Sequence, residues 1–182
     1  MQSQTFDIIT RIEVSTKTLG FSINEYKFNS FSTDTDLINT FFNKGGFKKE
    51  DFHKIIRTNR DKTTNFLEPA FNFSKINFSD FQELTKSQVY KFVWDNISPY
   101  EYREIEEETI LFEKVKKFFD SNKNEKYFII SKEFFDQTYD KDLNLASDKL
   151  IGYDAICYVY YFLVLWIDAD SKILTVTEFL WD

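Results

Sequence analysis

Across 182 residues the chain has one cysteine, one histidine, two prolines and four glycines, and each scarcity removes a class of chemistry. A zinc site of the Cys/His type needs several such ligands, and Cys157 and His53 are the only two in the sequence. A disulfide framework and haem attachment through C-x-x-C-H are equally impossible. Glycine stands only at positions 20, 45, 46 and 152. Neither the dinucleotide fingerprint G-x-G-x-x-G nor the phosphate loop G-x-x-x-x-G-K-[ST] therefore occurs. The nucleophile elbow G-x-S-x-G is missing too, and any nucleophilic triad would have to use His53 as its base. The apolar run Ile156 to Ile167 is 12 residues, short of the roughly 20 that span a bilayer as a helix. The start, MQSQTFDIITRIEV, lacks a basic segment followed by an apolar one. With no disulfide to form, the expected compartment is the cytoplasm.

What the chain does have is aromatic and acidic weight. Aromatics reach 19%, with 22 Phe, 10 Tyr and 3 Trp, and 30 acids against 23 bases leave a net charge of -7. Phe, Ile, Lys and Asn are abundant while Ala, Gly, Pro and Arg are scarce, the bias of an A/T-rich coding sequence. Much of the Phe is therefore expected to fill core positions where Leu or Met would serve. The charge is uneven. Residues 1–91 are near neutral at +2, whereas residues 92–182 hold 10 bases and 19 acids, a net -9.

Periodicity predicts one α+β domain over 1–182, mainly an antiparallel sheet with a C-terminal hairpin at about 153–181 packed against a central group of helices at about 34–60 and 85–119. TFDIITRIEV (5–14) alternates, with Phe6, Ile8, Ile12 and Val14 on one side, and FSINEYKF (21–28) can pair with it. Leu37, Ile38, Phe41 and Phe42 make a helical face after Asp34 and Asp36, and Gly45-Gly46 ends that helix. A short helix is expected at 48–59 and a weak strand in FNFSKINF (71–78). Thr85-x-x-Gln88 is a capping box opening a helix to about Asn96, with Val89, Phe92, Val93 and Ile97 inward. Ser98-Pro99-x-Glu101 opens another to about Phe119, with Tyr102, Ile105, Thr109, Phe112, Val115 and Phe119 as its core stripe. KYFIIS (126–131) reads as a buried strand before a short helix at 132–138. In the hairpin, Ala169 to Lys172 form the turn, and the first arm is apolar on both faces, as a central covered strand requires.

Several patterns imitate functional motifs and fail on inspection. Lys49, His53, Arg57 and Arg60 recur at helical spacing as a phosphate stripe would, yet net acidity opposes nucleic-acid binding. Glu50-x-x-His53 is half of a di-iron helix motif, and no second His exists to complete it. Asp140-x-Asp142-x-Asn144 copies the start of a calcium loop, but its sixth position is Leu145 and its twelfth Ile151. Asp168-x-Asp170 resembles a metal-nucleotide pair and sits where a turn is expected. Cys157 lies inside the apolar arm as a small hydrophobe. No catalytic residue, cofactor or metal ligand is assigned.

Two groups remain as partner-binding candidates. Glu104, Glu107 and Glu108 share a helix face and, with Asp140 and Asp142, form the first acids to place at a contact. Tyr158 and Tyr160 share a strand face with Phe162 and Trp166, and several hydroxyls on one strand need partners at a rim, pocket or interface. The expected function is a non-enzymatic protein-binding domain with a basic partner and neither nucleic acid nor membrane as ligand. The overall profile is similar to that of immunity proteins of bacterial toxin systems, which mask nuclease-like toxins with acidic residues. That likeness is one of profile, not motif, and transfers no residues. The competing expectations are a small-molecule or lipid-binding domain with an aromatic pocket beside Tyr158, Tyr160 or Trp166, and a structural subunit with an apolar patch. An enzyme using clustered carboxylates is the least supported by the inventory. The sequence leaves the oligomeric state open.

Overall fold

In the computed structural model the described residues are 6–15, 19–44, 46, 70–97, 105–135, 147–151 and 159–181. Strands β1 (Phe6–Ser15) and β2 (Leu19–Phe28) form the N-terminal antiparallel pair, followed by α1 (Asp34–Asn43). Then come β3 (Gln82–Thr85), α2 (Lys86–Ile97), α3 (Ile105–Ser121), β4 (Lys126–Ser131), β5 (Tyr160–Asp168) and β6 (Ile173–Trp181). The six strands make one sheet in the order β1-β2-β6-β5-β4-β3, antiparallel at every pairing. The C-terminal hairpin β5–β6 is thus at the centre, with the N-terminal pair added on one side and β4–β3 on the other. No described helix is long and apolar enough to cross a membrane.

Both faces of the sheet are covered, which is why β5 is apolar at successive positions. On one face Leu37, Ile38, Phe41 and Phe42 of α1 pack with Tyr26, Phe128, Tyr161, Leu163 and Leu174. On the other, Val89, Val93 and Ile97 of α2 and Val115 and Phe119 of α3 pack with Phe21, Tyr127, Phe162, Trp166 and Phe179. The helices therefore divide between the two faces rather than forming one central group. Phe112 is half-buried, as its place in the α3 stripe requires, whereas Thr109 is exposed.

Local signals account for the element ends. Thr33 caps α1, its side chain accepting from the Asp36 amide at 3.1 Å. Gly46 donates its amide to the Phe41 carbonyl at 2.9 Å, and a Cβ there would lie 2.6 Å from the Phe41 ring and 2.7 Å from Phe6. Close approach, not turn geometry, requires glycine at this position. At the start of α2 the Gln88 side chain accepts from the Thr85 amide at 2.8 Å, the reach-back half of the capping box. Thr85 also ends β3, a short edge strand that the capping pattern had concealed.

Two segments differ from their periodicity. The alternation of β1 is broken by a register shift between Ile8 and Thr10. Phe6 thus packs on the α1 side, against Phe31 and Phe41, while Ile12 pairs with Ile23 on the α2/α3 side. A β-bulge inserts one residue and reverses the parity beyond it. The segment 71–78 is not a strand. Phe71 makes an isolated bridge to Leu150, and the chain then turns into a 3-10 helix at Phe78–Asp80. Asn77 accepts from Ser79 at 3.1 Å and Asp80 from Asn77 at 2.9 Å, both locally, while the distant Asn39 accepts from the Phe78 amide at 2.6 Å. Such side chains offer the backbone an alternative to a sheet ladder. The helix expected at 132–138 is a 3-10 turn at Lys132–Phe134 within the described residues, and the one expected at 48–59 lies outside them.

Tyr127 is fully buried on β4 against Phe119 and Trp166. Burial, reinforced by the Glu125 charge, pushes its phenol from 10.0 up to about 12. The neutral form is favoured in the folded state, so this contribution to stability is complete below pH 10. It is lost as pH rises from about 10 to about 12, where only the unfolded chain ionises freely. Ultraviolet titration is expected to show this phenol ionising late or together with unfolding. A tyrosine-to-phenylalanine variant at 127 that leaves the alkaline titration unchanged would refute the assignment.

Candidate functional site

A group of polar residues on the α2/α3 face lies at one end of the sheet, where the β5–β6 hairpin turns. Strand register sets the floor. Glu25 of β2 stands opposite Thr175 of β6, which stands opposite Trp166 of β5. One step further along, Ile173 is opposite Asp168. Glu25 and Asp168 are separated by β6 and offset by two residues along it, and both line the same hollow. The end of α3 and the loop after it close the other side through Phe118, Ser121, Asn122 and Asn124. The hollow is open on one side and its volume is about 190 Å³, smaller than the roughly 300–1,000 Å³ of typical small-molecule pockets. It has room for a side-chain head group rather than a cofactor.

Each wall is held in place. Asn122 accepts from the Asn124 amide at 2.9 Å through its side chain and from Lys86 Nζ at 2.7 Å through its carbonyl. Trp166 is buried among Phe118, Phe119 and Tyr127, with ring centroids 5.4, 5.4 and 5.7 Å away. Asp168 accepts from the Ser171 amide at 2.9 Å and thereby closes the hairpin turn. Lys172 completes that turn in the left-handed region at φ 54°, and Lys27 Nζ donates to the Ser171 carbonyl. Hydrogen bonds from the Ser171 backbone and side chain, then the Asp170 backbone and the Lys27 charge, hold the Asp168 carboxyl below its ordinary value of 3.8. It is ionised at neutral pH. No Lys or Arg is among the described residues lining the hollow. Two carboxylates beside aromatic rings suit a cation, which gains from both charge and ring faces.

Asp168 and Asp170 thus occupy the turn, as the turn reading of that pair expects. Among the described residues no three His, Cys, Asp or Glu side chains converge to hold a metal. Of the partner candidates, Tyr160 is buried, packed against Phe162 and Trp181 at 5.6 and 6.2 Å. It lies in the core rather than at a surface. Glu107 and Glu108 belong to the first turn of α3, with side chains outside the description. Glu104, Asp140, Asp142 and Tyr158 lie outside the described residues, as do Lys49, Glu50, His53, Arg57, Arg60, Asn144 and Cys157.

The sequence reading missed Glu25, since nothing in a strand pattern says that its row leads to Trp166. It also missed Glu178, a buried acid on the α1 face of β6 that accepts from Tyr161 Oη at 2.5 Å and Ser22 Oγ at 3.2 Å. A signal for it existed: Leu174, Val176 and Leu180 share its parity, and an acid in that series is the exception. Compared with family models, curated proteins and solved structures, the chain matches none.

Proposed function

We propose that the protein is a non-enzymatic, cytoplasmic binding domain for a basic protein, an immunity-type inhibitor that neutralises a toxin or nuclease-like partner. The observation that carries this reading is the hollow bounded by Glu25, Asp168 and Trp166. It would take one Lys or Arg side chain of the partner, with the carboxylates meeting the charge and the aromatic wall meeting the stem. The net -9 of residues 92–182 supports the same choice of partner, because an acidic surface speeds encounter with a basic one. Neither nucleic acid nor a membrane surface is the ligand in this reading.

The test is capture of a partner at low salt with the wild type and a Glu25→Gln, Asp168→Asn double variant. Asparagine keeps an acceptor for Ser171, so the turn survives while the charge goes. A stoichiometric basic protein is expected, with its affinity falling at least about tenfold in the double variant and weakening with salt. Capture of no partner, or capture indifferent to both substitutions, would sink the proposal.

A further inference from the structure

Strand β1 is an edge: it pairs with β2 on one side, and no described strand pairs with the other. Natural edges are usually blunted by lysine, proline or a bulge. β1 has neither lysine nor proline, and its bulge lies near its start, so Thr10 to Ser15 pair regularly with β2. The edge is also apolar. Ile8, Ile9 and Ile12 are 45%, 51% and 43% exposed, half of the exposed large hydrophobic side chains among the described residues.

We infer that this edge pairs with the same edge of a second copy, giving a two-fold dimer with a continuous twelve-stranded sheet. Charge selects both the occupant and the register. Arg11 and Glu13 lie on one face, where Arg11 Nε donates to Glu13 Oε1 at 2.8 Å. A two-fold axis perpendicular to the sheet keeps each face continuous, so it must pass through a residue rather than between two. Through Arg11 it would oppose two arginines, and through Glu13 two glutamates. Through Ile12 it sets each Arg11 opposite Glu13 of the second copy, and the four charges alternate. Opposite charges directly across a strand pair stabilise it, and like charges destabilise it. On the other face the same axis joins Ile12 to Ile12. Each of these borders a largely apolar groove of about 380 Å³ formed with Phe21, Ile23 and Phe118 and flanked by Lys114 and Lys117, so the dimer covers two exposed grooves at once. The groove shares Phe118 and Ser121 with the Glu25/Asp168 hollow, but no described β1 residue lines that hollow.

Sedimentation or light scattering across a concentration series tests it on the full chain. The mass is expected to rise towards twice the 21.9 kDa of one chain. Arg11→Glu places like charges across both positions and is expected to weaken dimerisation at least about tenfold. The double exchange Arg11→Glu, Glu13→Arg restores the alternation and is expected to restore the dimer. If Arg11→Glu lowers the thermal midpoint, Ile12→Lys gives the same readout from an exposed position and is expected to yield monomer. A monomer at every concentration, a dimer indifferent to these variants, or failure of the double exchange to recover association would each overturn the inference.

Discussion

Replacing Phe162 by alanine is expected to destabilise the protein by about 3–5 kcal/mol and to lower its thermal midpoint by about 6–20 °C. Phe162 is fully buried on β5, at the centre of the sheet. It stacks on Phe179 of β6 at 4.6 Å and 15°, and meets Phe92 of α2 edge-on at 5.2 Å and 88°. One ring therefore joins the central hairpin to the helix layer. Its removal leaves a cavity whose walls are strands paired on both sides, and such walls relax little. Phe162→Leu keeps most of the volume and is expected to cost less than half as much. Denaturant unfolding of both variants checks this, and a loss below about 1 kcal/mol for alanine would mean that the layer does not hang on this ring.

The second large effect is expected at Glu178. Its carboxylate is buried, which is tolerable because Tyr161 and Ser22 donate to it. Glu178→Ala leaves both hydroxyls buried without this acceptor, at about 1–3 kcal/mol each. Glu178→Gln keeps an acceptor and is expected to retain most of the stability. Tyr161→Phe in the Glu178→Ala background removes a hydroxyl that has lost this acceptor, so the double variant is expected to be more stable than the sum of the single losses. Strict additivity in that cycle would show that the two side chains do not act together. The cluster also constrains pairing: a one-residue slip of β6 would turn Glu178 to the α2/α3 face, away from both donors.

These effects separate what could be read from one dimension from what could not. The hairpin turn at Ala169 to Lys172, the strand at Lys126–Ser131, the Thr85 cap and the buried face of α1 follow from local chemistry. A period of two or of 3.6, a capping side chain or a turn residue acts over a few positions, so the chain itself carries it. The two-sided burial of β5 was legible for the same reason, since only a covered strand is apolar at successive positions.

Strand order, bulges and site rows are different in kind. Nothing in FDIITRIEVS marks Ile9 as the added residue, because the parity reversal is fixed by what packs on each face: Phe6 against α1 and Ile12 beside Ile23. The polar segment 71–78 shows the converse, an alternation overruled by hydrogen bonds to partners as distant as Asn39. The hollow depends on Glu25, Trp166 and Asn122, far apart in sequence and brought together because β6 pairs with β2 on one side and β5 on the other. By itself the sequence determined the inventory, the excluded chemistries, the uneven charge and most local elements. Only the tertiary structure decided which acid meets which ring and which strand is left as an edge, because those depend on long-range pairing that no local pattern encodes.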